Sequence, residues 1–382
     1  TMLESNEKSL NLIWIFIMLV QSCHVLSLEI IFGGDISFHG PIEYHLLKED
    51  CSFNRPFVEV KKLFRRVDNT VINLETTLGE LKRLDKFRND DKLITFLSDP
   101  KSVKGLRNSH ITAVTVANNH FLDYGEIGAN STIRFIRQEG LKISGLSYGK
   151  EHPKPQEPVV FEKDGVRVCL LSYCFNKDGC TELRNMSHTG QALFINFQKV
   201  LEEIDGTRKK YSPTSIIVYL HQGMEYRILS GMQKQQKELF DKLAGHVDVV
   251  VESHTHVTSG HFYHNKTLFT GQLGNLLFPL HSPVVLDFDD QSEKKKKEMD
   301  DKWFKISRRW SNPSVKSKLV KLSFDRNGLI PIKSRYMYAF NKVDKHRCMY
   351  IKPSKKGWRK ICAKGDQSCE GTSDCSMLQC KT

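Results

Sequence analysis

The stretch Ile111-Thr-Ala-Val-Thr-Val116-Ala-Asn-Asn-His120-Phe-Leu-Asp123-Tyr-Gly125 decides how this chain is read. Its first six residues are apolar and β-branched, as a buried strand requires. The strand then breaks directly into Asn118, Asn119 and His120, side chains that hold metals or protons rather than fill a core. Beyond Gly125, Glu126 to Gln138 carries apolar residues at the 3.6 period of an amphipathic helix. The unit is strand, polar turn, helix, with its chemistry at the carboxyl end of the strand.

The same unit recurs on both sides. Strand-like runs are Leu28 to Phe32, Thr70 to Leu74, Val166 to Leu171, Ser215 to Leu220 and Val247 to Val251, and further helical stretches are Phe57 to Val67 and Leu229 to Leu243. This alternation predicts an α/β class with helices outside a central sheet. After Val251 the pattern turns to hairpin-like strands, Gly260 to Phe269, Val284 to Phe288, Leu319 to Asp325 and Ile330 to Tyr338, expected to form a second sheet packed on the first. A charged insertion covers 291–302, and no internal repeat is present.

Five strands deliver ligand-type side chains at their carboxyl ends: Asp35, Glu75, Asn119 with His120, His221, and the pair His254-Thr-His256. Alone, each has an ordinary explanation as a helix cap, a polar gap-filler or a solvated acid. Five in register point to one site, because open α/β sheets build their sites at that edge. Oxygen and imidazole donors together suit Mn, Zn or Fe better than calcium or thiolate-seeking metals.

With these residues in place, a family resemblance becomes specific. Gly33-Gly-Asp35, Asn73-Leu-Glu75, Ala117-Asn-Asn-His120-x-x-Asp123-x-Gly125, His221-Gln-Gly-Met-Glu225-Tyr226, Ser253-His-Thr-His256 and Leu273-Gly-Asn275 follow the order seen in CapA-like proteins. That family is named for bacterial poly-γ-glutamate capsule synthesis and is similar in fold to the calcineurin-like metallophosphatases. The resemblance implies a layered αββα sandwich of the metallo-dependent phosphatase type and two divalent metal ions. It implies Asp35 and His256 as ligands of one metal, Asn119, His221 and His254 of the other, and Glu75 as the bridge. His120 becomes the acid, with Asp123 either orienting it or capping a helix. Asn73, Asn118 and Glu225 become partners that fix their ligating neighbours. The sequence departs from the pattern at Ser37, where the superfamily usually has a histidine ligand; His39 is an alternative donor or a surface residue. Glu252 and Gln222 also replace residues common in relatives, and both alter the pocket wall.

Three functions follow as expectations: a hydrolase or transferase acting on a phosphoester or γ-glutamyl polymer, a non-catalytic accessory to poly-γ-glutamate synthesis or export, and a secreted module that binds polyanions. The charge bears on the last. From Gln291 onward there are 24 Lys and Arg against 9 Asp and Glu, +15, which leaves −2 (33 against 35) for residues 1–290. Such a tail favours a polyanion or an anionic membrane surface, or is a solvated lysine-rich segment; specific nucleic-acid recognition is not expected.

Domain boundaries are expected at 1–27, 28–340 and 341–382. The apolar run Leu12 to Val20 reads as a signal peptide cut after Ser27, with membrane anchoring through residues 10–27 as the alternative, since Glu4 and Glu7 make its leading side acidic. Thr1 before Met2 reads as a sign that the natural start lies elsewhere. Ten cysteines suggest an oxidising, extracellular compartment; Cys348, Cys362, Cys369, Cys375 and Cys380 read as a disulfide knot, or less readily a zinc site, in a basic C-terminal extension. Asn130-Ser-Thr, Asn185-Met-Ser and Asn265-Lys-Thr are glycosylation acceptors in that setting.

Overall fold

In a computed structural model, residues 27–361 are described, apart from 49, 93, 149–155, 176–179, 181–188, 192–196, 227–233, 280–287, 289–290, 308–314, 327–330 and 332. The apolar run at Leu12, the acceptor Asn185, the run Val284 to Phe288 except its last residue, and the four cysteines from Cys362 onward therefore lie outside the described residues.

Two sheets carry the chain. The first takes β1 (Leu28–Ile36), β2 (Asn69–Leu74), β3 (Ala113–Thr115) and β4 (Lys142–Ser144) in parallel. The second takes β5 (Val159–Lys163), β6 (Val166–Cys174), β7 (Ser215–His221), β8 (Val249–Ser253), β9 (Phe262–His264) and β10 (Thr267–Gln272), in the order β9-β10-β8-β7-β6-β5. Short β11 (Asn275–Leu277) returns the chain to β1. The antiparallel run β12 (Lys316–Phe324), β13 (Lys333–Val343), β14 (Met349–Pro353) and β15 (Arg359–Lys360) then extends the first sheet beyond β1.

Alternation along the strands builds the layers. Leu28, Ile30 and Phe32 of β1 meet Ile217 and Tyr219 of β7 in one core between the sheets. The intervening Ile31 and Ile36 face the opposite way, toward α1 (Pro41–Leu47), α2 (Lys101–Asn108) and α3 (Gly125–Gln138). Ile216, Val218 and Leu220 likewise face α4 (Phe197–Tyr211) and α5 (Lys234–Leu243). Strands buried on both faces need continuous apolar runs rather than strict alternation, which is what these segments contain. The result is the expected αββα sandwich, and each fully buried Phe or Ile contributes about 2–3 kcal/mol to it.

Five expectations change. The late strands do not form a sheet of their own; the first-half units divide between two sheets, and the late hairpins extend each. The charged insertion is part of a helix, α6 (Glu293–Ser307), because Met299, Asp300, Trp303 and Ser307 fall on one buried face. Asp300 pins it, accepting from His45 Nε2 at 3.0 Å and from Arg347 Nη1 at 2.5 Å. The boundary at 340 falls inside β13, and the sheet continues to Lys360. Finally, Cys348 pairs with Cys51, 297 residues away, and so does not join a C-terminal knot. Phe57 to Val67 forms two short helical turns, Arg55–Phe57 and Lys61–Phe64, instead of one helix.

Candidate metal centre

The carboxyl edges of the two sheets meet, and the ligand-type side chains meet with them. β1 reaches this seam through Gly33-Gly34, where a Cβ on Gly34 would lie 1.9 Å from the Gly274 carbonyl oxygen. That approach sets Asp35 opposite Asn73 and Asn275. On the other sheet, His221 ends β7 and Ser253 ends β8. His254 and His256 follow with φ of 109° and 58°, values that cost non-glycine residues energy and persist where the surroundings fix a functional geometry.

Two groups of donors result. Glu75, His221 and His254 form one, and Asp35, Glu75 and His256 the other, each with its ligand atoms within 4.8 Å of one another. Glu75 belongs to both. In the first group His221 Nε2 stands 3.0 Å from His254 Nδ1, 3.5 Å from Glu75 Oε1 and 2.8 Å from Asn119 Oδ1. Donors arranged tetrahedrally around a cation at about 2.1 Å are about 3.4 Å apart, so these spacings suit an ion between them. In the second group His256 Nδ1 lies 3.7 Å from Asp35 Oδ2, and His256 Nε2 lies 4.0 Å from Glu75 Oε1.

Neighbouring side chains hold these donors in orientation. Asn73 Nδ2 donates to Asp35 Oδ1 at 2.9 Å, and Asn73 Oδ1 accepts from Asn118 Nδ2 and Thr115 Oγ1, both at 3.0 Å. Ser253 Oγ is 3.1 Å from His221 Nδ1, and Asn275 Oδ1 is 2.7 Å from His256 Nδ1. The turn through Gly223 carries Glu225 to an exposed position, from which its charge is among those that raise the pKa of Glu75.

The electrostatics ask for added positive charge. Both oxygens of Glu75 are buried and make no hydrogen bond. Burial first, and then the charge of Asp35, push the pKa of Glu75 well above the carboxylate range, and burial raises Asp35 to about 6. Burial holds His221 well below its ordinary value and brings His254 to about 3, which leaves both imidazoles neutral with lone pairs to give. Neutral imidazoles beside the orphaned carboxylate of Glu75 fit divalent cations.

His120 sits at the rim of this cradle. Its Nδ1 is 2.7 Å from Asp123 Oδ2, which also accepts from the Phe96 N–H at 2.5 Å. Asp123 therefore orients His120. It does not cap α3, whose preceding residue is Tyr124, without a side-chain cap. Burial lifts Asp123 to about 7 against the opposing charge of Lys92, whose Nζ is 2.5 Å from Asp123 Oδ1 and also donates to the Asn119 carbonyl.

His39 is buried, not on the surface. Its ring stacks 3.7 Å from Phe96, which stacks 3.7 Å from His120 on its other side. Its Nδ1 is 2.6 Å from Ser37 Oγ, and it joins neither donor group. Gln222 and Glu252 bond to each other across the pocket wall at 2.5 Å. Sequence reasoning missed Lys92 and Phe96, which come from a loop with no strand-end pattern, and Phe278, which follows β11 and sets its ring 4.6 Å from that of His256. It quoted Ser253 and Asn275 without their roles.

Comparisons with known proteins show what the chain is similar to. The family described as "Bacterial capsule synthesis protein PGA_cap" matches residues 29–280. The PGA biosynthesis protein CapA of Bacillus subtilis (strain 168) is 26% identical over 249 residues, 65% of this chain and 62% of that protein. The capsule biosynthesis protein CapA of Bacillus anthracis is 25% identical over 227 residues, 56% and 53% of the two chains. The chain thus spans only part of these relatives' length. Among solved structures, the calcineurin-like phosphoesterase YfkN from Bacillus subtilis aligns with 82% of this chain and 90% of its own, at a TM-score of 0.46 and 14% identity.

Proposed function

The chain belongs to the family of the bacterial capsule synthesis protein PGA_cap, and from that premise we propose that it is a metal-dependent hydrolase acting on a phosphoester or a γ-glutamyl amide. The observation that carries this reading is Glu75, buried without a hydrogen bond and common to two donor groups. Asp35 and His256 would hold one divalent ion, Asn119, His221 and His254 the other, with Glu75 between them. Mn, Zn and Fe suit this donor set. Such a pair supplies Lewis-acid polarisation of the substrate oxygen and a water of lowered pKa.

The chain's own residues supply the rest. Asp123 engages His120 Nδ1, which makes Nε2 the nitrogen that passes a proton to the leaving atom. Lys92 opposes the burial that raises Asp123, and its Nζ lies against the carboxylate oxygen that faces away from His120. Asn73 and Asn275 hold Asp35 and His256 in place through the contacts already given.

A second reading, an accessory that binds polymer without cleaving it, draws on the burial of the site: Asn119 and His120 are each only 4% exposed. Purified protein, with its metals quantified, assayed on an aryl phosphodiester and on poly-γ-glutamate, separates the two. Hydrolysis of either substrate that His120→Ala abolishes supports the first reading; full metal occupancy without turnover overturns it.

We place the protein in a secreted or membrane-anchored setting, through residues 1–27. The Cys51–Cys348 pair and the exposed acceptors Asn130 and Asn265 support an oxidising compartment. No helix among the described residues is long and apolar enough to cross a membrane.

A further inference from the structure

The two donor groups are not equivalent. Asn119 joins Glu75, His221 and His254 in the first, while Asp35, Glu75 and His256 make up the second. In the first, His221 Nε2 has Asn119 Oδ1 at 2.8 Å, His254 Nδ1 at 3.0 Å and Glu75 Oε1 at 3.5 Å. The second is set wider. Asn275 Oδ1 accepts from His256 Nδ1 at 2.7 Å, so Nε2 carries the lone pair of that ring, and it stands 4.0 Å from Glu75 Oε1. Asp35 gives up part of its charge as well: Oδ1 accepts from Asn73 Nδ2 at 2.9 Å and Oδ2 from the His254 N–H at 3.3 Å.

Ser37 explains why no second imidazole reaches this group. It stands two residues beyond Asp35, fully buried, where the superfamily resemblance places a histidine ligand. It offers at most a neutral hydroxyl, and that hydroxyl is already hydrogen-bonded to His39 Nδ1 at 2.6 Å. His39 is itself fixed in place. Its ring stacks 3.7 Å from Phe96 and meets Phe278 edge-on at 5.3 Å, and it belongs to neither donor group.

Donor number and type decide how an ion is held. Imidazole pairs with an amide oxygen and a carboxylate complete a closed four-donor shell, whereas three protein donors leave a coordination position for water or substrate. Removing an imidazole costs a transition metal more affinity than removing an oxygen donor. On the two-cation reading given above, on which this inference rests, we propose that the first group holds its ion tightly, and that the second holds one firmly only when an oxyanion of the substrate completes its shell. The oxyanion is a phosphate or a carboxylate oxygen, the two that a phosphoester and a γ-glutamyl polymer present. Binding is then reciprocal: the anion tightens the second ion, and the second ion tightens the anion. Ser37, spent on His39, is the residue that makes the second position conditional.

The test is calorimetric titration of the metal-free full chain with manganese, alone and with inorganic phosphate or glutarate, while elemental analysis counts the bound ions. One ion per chain is expected to bind tightly, and a second about a hundredfold or more weakly. Phosphate or glutarate should tighten the second step by about tenfold or more and the first by less than about twofold. The anion that acts identifies the source of the oxyanion. Asp35→Asn should remove the weak step together with its response to anion and keep the tight ion. His254→Ala should weaken the tight step by about a hundredfold or more. Should that variant fail to fold, Asn119→Ala is expected to weaken the same step by about tenfold. Two ions of equal affinity, or a second step that neither anion moves, overturn the proposal and leave the two-cation reading standing. A tight step lost in Asp35→Asn and kept in the folded His254→Ala or Asn119→Ala protein also overturns it. Absence of a second ion under every condition overturns both.

Discussion

The two sheets contribute different chemistry to the seam. β1, β2 and the turn after β3 bring oxygen donors, Asp35, Glu75 and Asn119, while β7 and the turn after β8 bring imidazoles, His221, His254 and His256. Burial acts on the two sides in opposite directions, raising the carboxylates and lowering the histidines. Neither half is a site alone. Each is a strained set of buried polar groups that becomes favourable when cations lie between them.

The largest break in this comparison should come from Glu75, which both groups share. Glu75→Gln is expected to reduce bound metal, read by elemental analysis, to less than half and any hydrolysis by more than about a thousandfold, roughly 4 kcal/mol. His120→Ala leaves both halves intact, so metal content should stay at the wild-type level while turnover falls by about a hundredfold or more. If metal is lost as well, His120 belongs to the cradle and its role as proton donor fails. Smaller again is Asn275→Ala, which frees the His256 ring; metal affinity by competition with a chelator should weaken by about tenfold to a hundredfold.

The subtlest effect is the pH dependence of the metal-free protein. Asp35 has a folded pKa raised from 3.8 to about 6, so its stability contribution is present below 3.8 and lost as pH climbs through 6, by order of 3 kcal/mol. His254, lowered from 6.5 to about 3, acts in the reverse sense and adds stability over that rise. Thermal melts of metal-free wild type and Asp35→Asn should therefore agree near pH 3.5. At pH 7 the variant should be the more stable. The opposite ordering would mean that burial does not penalise the carboxylate.

Much of this site is legible in the sequence because strand ends are legible. An apolar run that stops at Glu75 or at His254-Thr-His256 places its ligand without any structure. The division of the strands between two sheets is not, since both halves show the same β-α pattern and only inter-sheet packing, as of Phe32 on Tyr219, tells them apart. Lys92 and Phe96 act from a loop, and no periodicity marks a loop residue that folds back over a site. The pairing of Cys51 with Cys348 spans 297 residues, beyond any spacing rule. The lysine-rich stretch from Lys294 reads as solvated because its buried anchors, Met299, Asp300, Trp303 and Ser307, are outnumbered by charges on the other face of α6.

On the proposed function, the oxygen and imidazole halves join around two cations with Glu75 between them. Anomalous diffraction from crystals grown with manganese tests it directly. Two peaks about 3.5–4 Å apart, with Glu75 contacting both, are the predicted result; a single peak, or peaks that Glu75 does not touch, would contradict it.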